Sequence, residues 1–171
     1  MDQRSNRLLG IITIIMSAVV AVLLLLAVLT GTASTKAIIQ LVVYAIIIIL
    51  AIVMMSRSNN ASQATPIILY SYLVGYLLTA LLNNVFVVMI YIIPVLVVSL
   101  LLSNPKLLNL GCIVGIIGTI IMVARNLGDP VNESNAILLG LVTVILIGFL
   151  NKTGKTMTLY TQSSMTHIVT E

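Results

Sequence analysis

Hydrogen-bonding side chains recur on one face of an otherwise apolar stretch near the middle of the chain. Four of them are spaced at i, i+4, i+7 and i+11, so in an α-helix they form a stripe of polar tips. Aromatic walls with a few hydrogen-bonding groups are the usual lining of a small-molecule pocket, which makes the stripe a candidate ligand-facing surface. Interfacial tyrosines and interhelical hydrogen bonds are the alternative, and the sequence leaves both open. With an adjacent asparagine and a tyrosine of the next apolar segment, the candidate residues are Tyr72, Tyr76, Thr79, Asn83, Asn84 and Tyr91.

Other chemistry-bearing residues are few and scattered. The single cysteine, Cys112, lies inside an apolar run, and the single histidine, His167, lies in a polar tail. Neither a disulfide within the chain nor a zinc cluster is therefore expected. The sequence contains no nucleophile–base pair and no glycine-rich phosphate loop, so we expect no enzymatic activity, no catalytic residues, no metal and no cofactor.

The composition indicates an integral membrane protein. Hydrophobic residues make up 60% of the chain and charged residues only 7%, which is too few to cover a globular core of this size. The net charge of +4 comes from bases placed singly between apolar runs, which indicates orientation in a bilayer and no nucleic-acid partner. No ionisable residue lies inside these runs, which argues against a proton-coupled transporter or a pump.

Hydropathy and length predict an all-α fold, a polytopic bundle of six transmembrane helices. A span needs roughly 20 helical residues, and one helix over residues 66–102 would overshoot the bilayer, so we divide that region at Asn83 and Asn84. The predicted spans are residues 8–30, 37–55, 66–82, 85–102, 107–124 and 136–150.

The distribution of Lys and Arg supports this count and places both termini in the cytoplasm. Cytoplasmic segments carry an excess of basic residues, and with six spans the division is six inside against two outside. Treating residues 66–102 as one span instead places four basic residues on each side of the membrane, which is no bias. The six are Arg4, Arg7, Arg57, Lys106, Lys152 and Lys155, and the two are Lys36 and Arg125.

Small residues mark a packing face on the fifth span. Gly111, Gly115 and Gly118 fall at i, i+4 and i+7, so bare backbone on one side lets another helix approach closely. The contact is either within the chain, which we favour, or between two copies in a homodimer.

Residues 151–171 form a polar tail that the predicted orientation places in the cytoplasm. Met157, Tyr160, Ser164 and His167 follow a 3-4-3 spacing that suits the start of a signalling helix, with Gly154 separating it from the sixth span. A free, disordered tail is the alternative.

Three segments resemble the six-span N-terminal membrane region of methyl-accepting chemotaxis receptors and related sensor kinases of Gram-positive bacteria. They are Arg4-Ser5-Asn6-Arg7-Leu8, Tyr91-Ile92-Ile93-Pro94-Val95-Leu96 and Asn104-Pro105-Lys106-Leu107-Leu108. The resemblance implies a membrane sensor followed by a cytoplasmic helical signalling domain that engages downstream signalling proteins. This sequence departs from the family because no methylation helices or kinase-binding hairpin follow within its 171 residues.

These observations lead to one main functional hypothesis and two alternatives. The main hypothesis is a sensor or anchor module of a chemotaxis-type receptor, a multi-pass protein of the bacterial plasma membrane whose immediate partner is the lipid bilayer. The alternatives are a small permease or channel-like protein for a neutral or lipophilic solute, and a structural membrane subunit.

Overall fold

The computed structural model describes residues 3–31, 34–56, 61–82, 86–101 and 105–169, and the chain is helical throughout these ranges except for short connections. Within these ranges, six α-helices and one 3₁₀ segment follow one another. They are α1 (Gln3–Leu29), α2 (Thr35–Ser56), α3 (Ala61–Leu82), the 3₁₀ segment (Phe86–Tyr91), α4 (Ile92–Leu101), α5 (Pro105–Asn126) and α6 (Glu133–Val169).

In the described part of the chain, four helices are long and apolar enough to cross a membrane by length and composition. The stretches that meet this criterion are Leu8–Leu29, Thr35–Ser56, Pro105–Asn126 and Glu133–Tyr160. Two further apolar stretches, Pro66–Leu82 and Val88–Leu101, are shorter. The all-helical prediction is confirmed for the described residues, and the apolar helices indicate a membrane protein.

The helices pack with apolar surface outside as well as inside. Helices α1 and α2 form one antiparallel hairpin, α5 and α6 form another, and α3 contacts α1, α2 and α5. Large apolar side chains face outward on several helices, among them Val74, which is 64% exposed, and Ile145, which is 69% exposed. In water such surfaces would be costly, whereas lipid solvates them.

Each of the six helices buries at least one polar side chain. Helix association in lipid relies on such groups together with close packing, because apolar burial supplies no driving force there. The buried polar residues are Thr13, Ser17, Gln40, Thr79, Ser99, Thr119, Asn126 and Thr143.

Region 85–102, predicted as one span, is not a single α-helix. Its first part is the 3₁₀ segment and only residues 92–101 are α-helical. Pro94 explains the change, because a proline lacks the N–H donor and its ring collides with the carbonyl of the fourth residue before it in an α-helix.

Helix α6 differs most from its predicted bounds. It begins three residues before the predicted sixth span and continues to Val169, giving 37 residues without a break at Gly154. Gly154 is buried, and a Cβ there would collide with the side chain of Leu108 on α5. A helix of this length runs about 55 Å and exceeds the roughly 30 Å of bilayer hydrocarbon.

A structured turn sets the start of α6. Gly128 has a left-handed backbone (φ +84°), and its N–H donates to Glu133 Oε2 at 3.1 Å. Asp129 accepts hydrogen bonds from the Asn132 side chain at 2.8 Å and from the Val131 N–H at 3.0 Å. These two bonds, with that from Asn132 the larger influence, lower the pKa of Asp129 below its usual value.

Candidate functional site

The predicted polar stripe is present on α3 as one buried face. Tyr72, Tyr76 and Thr79 are each 1% exposed, so the stripe points into the bundle and away from lipid. Asn83 and Asn84 lie outside the described residues. Helix α3 ends at Leu82, next to the predicted break.

The two tyrosines bond to backbone carbonyls of the 3₁₀ segment. The Tyr72 hydroxyl donates to the carbonyl of Tyr91 at 2.7 Å, and the Tyr76 hydroxyl donates to that of Met89 at 3.5 Å. Tyr91 precedes Pro94 by three residues, so its carbonyl lacks the N–H that a continued 3₁₀ turn would supply. The tyrosines therefore satisfy carbonyls in a segment whose own hydrogen bonding is irregular.

Tyr91 contacts the stripe through its backbone. Its carbonyl accepts the hydrogen bond from Tyr72, so it lies beside the stripe. Its half-buried side chain packs against buried apolar residues of the bundle. In this arrangement the Tyr72 and Tyr76 hydroxyls hold helices together, and a ligand would have to replace protein acceptors to reach them.

Tyr44 on α2 belongs to the same polar cluster, and the sequence analysis missed it. Its hydroxyl lies 2.8 Å from Thr79 Oγ1, and Thr79 in turn donates to the Gly75 carbonyl at 2.9 Å. Tyr44 is 2% exposed and is packed where Gly75 leaves space between α2 and α3. The available signal was its position four residues after Gln40, which puts two polar groups on one face of an otherwise apolar helix.

The glycines of α5 accommodate side chains of the same chain. A Cβ at Gly111 would lie 2.6 Å from Leu96 Cδ2, and one at Gly115 would lie 2.9 Å from Ile147 Cδ1. A Cβ at Gly118 would overlap the Tyr76 ring. The glycine face therefore receives α4, α6 and α3, and at Gly118 it contacts the polar stripe itself.

Arg125 caps the end of α3 next to the stripe. Its guanidinium donates to the carbonyls of Leu81 and Ala80, which belong to the last turn of the helix. Those carbonyls have no partner within the helix, and a positive charge there also suits the helix dipole. Arg125 thereby links the end of α5 to the end of α3 in the described part of the chain.

Among the described residues, three buried side-chain oxygens have no hydrogen-bond partner. Thr13 Oγ1 and Ser17 Oγ lie one turn apart on α1, and Gln40 Oε1 lies on α2. All three residues are at most 2% exposed. Unpaired buried polar atoms are uncommon, because each one forfeits its hydrogen bonds to water.

Neither metal ligation nor similarity to known proteins assigns a function. Within the described ranges, no three His, Cys, Asp or Glu side chains are grouped closely enough to hold a metal ion. No protein family matches the chain, and no curated protein or solved structure is detectably similar to it.

Proposed function

We propose that the chain is the membrane sensor or anchor module of a bacterial chemotaxis-type signal transduction receptor, with six spans and both termini in the cytoplasm. The continuous helix α6 is the observation that carries this proposal. A helix that extends about 25 Å beyond the hydrocarbon gives the bundle a stiff connection to whatever lies at its polar end.

The contacts of α6 would let it respond to the rest of the bundle. Ile147 packs where Gly115 leaves space on α5, and Gly154 lies against Leu108 and Leu100. A stimulus that favours one packing of the helices over another would therefore shift α6 and its polar extension together. The candidate stimulus site is the cluster around Tyr72, Tyr76 and Tyr91.

The positions of the basic residues support the proposed orientation. Lys106 at the start of α5 and Lys155 on α6 line one cavity, so these two bases lie at the same end of the bundle. Arg125 contacts the last turn of α3 at the other end of α5. This arrangement agrees with a basic cytoplasmic end under the positive-inside rule.

Two measurements test the proposal. A reporter that is active only in the cytoplasm, fused after Glu171, should give signal, whereas a periplasmic reporter at the same point should stay silent. In a chimera with a receptor signalling domain, Tyr72→Phe combined with Tyr76→Phe should abolish a stimulus response. An unchanged response would contradict the proposed stimulus site. A reversed reporter pattern would contradict the proposed topology.

A permease for a neutral solute is a second candidate. The unpaired hydroxyls of Thr13 and Ser17 and the unpaired carboxamide oxygen of Gln40 support it, because a passing solute or water could satisfy them. Uptake of neutral solutes by reconstituted vesicles should exceed that of protein-free vesicles if this candidate is correct, and should equal it if the chain is only a sensor.

A further inference from the structure

A cavity lies between α5 and α6 at the end of the bundle where α5 begins. Its volume is about 260 Å³, and the polar residues among those that line it are Lys106 and Asn109 on α5 and Asn151 and Lys155 on α6. The described lining residues include no carboxylate, so the two lysines at this cavity have no acidic partner among them. Two positive charges with carboxamide donors provide the chemistry that binds a phosphate.

The cavity continues along α6 as an open apolar face. Asn151, Gly148 and Val144 precede Lys155 by 4, 7 and 11 residues, so all four lie on one side of the helix. Gly148 is exposed, and a Cβ built there would meet no atom within 4 Å. The surface just beyond the basic end of α6 is therefore open to a neighbouring hydrocarbon chain.

The facing side of α5 has the same character. Ile113, Ile117 and Ile120 follow Asn109 by 4, 8 and 11 residues and are 48%, 44% and 60% exposed. Ile120 and Val144 also line a second, apolar cavity between the two helices, of about 340 Å³. The basic cavity, these isoleucines and the apolar cavity follow one another along α5 and α6, and we call this path the α5–α6 groove.

The length of this groove matches one leaflet of a bilayer. Lys155 and Val144 are 11 residues apart, which corresponds to about 16 Å along a helix. Half the hydrocarbon thickness of a typical bilayer is about 15 Å. A ligand with a phosphate at the basic end and an acyl chain of one leaflet's depth would fill the groove.

We propose that the α5–α6 groove binds an anionic phospholipid, with its phosphate between Lys106 and Lys155 and an acyl chain against Gly148. Basic pockets between membrane helices recognise anionic headgroups in this way. Free phosphate would complement the positive charge but would make no contact with the apolar part of the groove. The inference does not depend on the sensor proposal or on which leaflet the basic end faces.

Quenching by brominated lipids tests the site directly. The chain contains no tryptophan, so Ile113→Trp introduces a single tryptophan beside the groove as the fluorescent probe. The labelled protein is reconstituted in phosphatidylcholine vesicles that contain either brominated phosphatidylglycerol or brominated phosphatidylcholine. Phosphatidylglycerol should quench preferentially, with an apparent preference of about fivefold for each contributing lysine.

Three variants separate the site from general surface charge. Lys106→Gln with Lys155→Gln should remove the preference, whereas Lys152→Gln, which removes one charge on α6 outside the cavity lining, should retain it. Gly148→Leu should weaken quenching by phosphatidylglycerol because leucine occupies the path of the acyl chain. Far-UV circular dichroism checks that each variant keeps its helices.

Four results would overturn the proposal. They are equal quenching by both lipids in the parent protein, an equal loss of preference in Lys152→Gln, unchanged quenching in Gly148→Leu, and loss of the preference on adding inorganic phosphate at constant ionic strength. The last result would identify free phosphate as the ligand.

Discussion

Helix α1 and the α3–α4 region both bury hydroxyl groups, but those of α1 lack hydrogen-bond partners, whereas those of the α3–α4 region have them. In the α3–α4 region the Tyr72, Tyr76 and Thr79 hydroxyls each donate to a backbone carbonyl. On α1 the Thr13 and Ser17 hydroxyls have no partner at all. In lipid, a hydrogen-bonded polar group stabilises helix packing. An unpaired polar group has the free-energy cost of burial and gains no hydrogen bond. The comparison therefore predicts that polar deletions will be costly in one region and harmless in the other.

The largest effect is expected at Gly118, where the glycine face of α5 meets Tyr76 of α3. Gly118→Leu would displace the Tyr76 ring and should lower stability by about 1–3 kcal/mol, the usual cost of overpacking a core. Thermal unfolding in detergent, followed by far-UV circular dichroism, measures the change. Gly148→Leu is the matched control, since nothing lies within 4 Å of a Cβ there, and equal losses in both variants would contradict the packing described.

Loss of a single paired hydroxyl should have a smaller effect. Tyr72→Phe keeps the ring but leaves the Tyr91 carbonyl without its donor, at a cost of about 1 kcal/mol. The same unfolding measurement applies, with Tyr160→Phe as the control because Tyr160 is 70% exposed. An unchanged midpoint in Tyr72→Phe would mean that the hydrogen bond contributes nothing.

Loss of an unpaired hydroxyl should cost nothing. Ser17→Ala and Thr13→Val remove oxygens that have no partner, so stability should stay within about 0.5 kcal/mol of the parent protein or rise. A loss comparable to that of Tyr72→Phe would show that these hydroxyls have a partner, such as a bound water or solute, and would strengthen the permease candidate.

A small, pH-dependent effect is expected at the exposed turn before α6. Because its hydrogen bonds lower the folded-state pKa of Asp129, its ionised form adds stability above the unfolded pKa of about 3.9. This stabilisation is lost as the pH falls from the unfolded-state pKa of Asp129 through its lower folded-state pKa. Asn132→Ala removes the main cause and should reduce the acid sensitivity of the unfolding midpoint, and an unchanged pH profile would contradict this assignment.

The sequence predicted features that depend on local pattern. The helical class followed from hydropathy, and the shared face of Tyr72, Tyr76 and Thr79 followed from a period of 3.6 residues. The close approach at Gly111, Gly115 and Gly118 followed from the absence of side chains. Each of these properties is decided by residues that lie close together in the chain.

Features that depend on distant contacts were not predicted. Tyr44 joins the polar cluster only because α2 packs beside Thr79, 35 residues away. Gly154 does not end α6, because Leu108 and Leu100 pack against the helix at that point and support it. The 3₁₀ segment likewise depends on how the carbonyls before Pro94 find donors on α3. Spacing within one helix contains no information about such neighbours.

The continuity of α6 carries the proposed function and can be measured directly. Spin labels at Leu138→Cys and Leu159→Cys, in a Cys112→Ala background, occupy two exposed positions 21 residues apart. Pulsed electron paramagnetic resonance should give one narrow distance distribution at about 32 Å, which is the rise of an unbroken α-helix over 21 residues. A broad distribution, or a distance several ångströms shorter, would mean that the helix breaks between the membrane and its polar end, and the account of α6 as a stiff connection would be wrong.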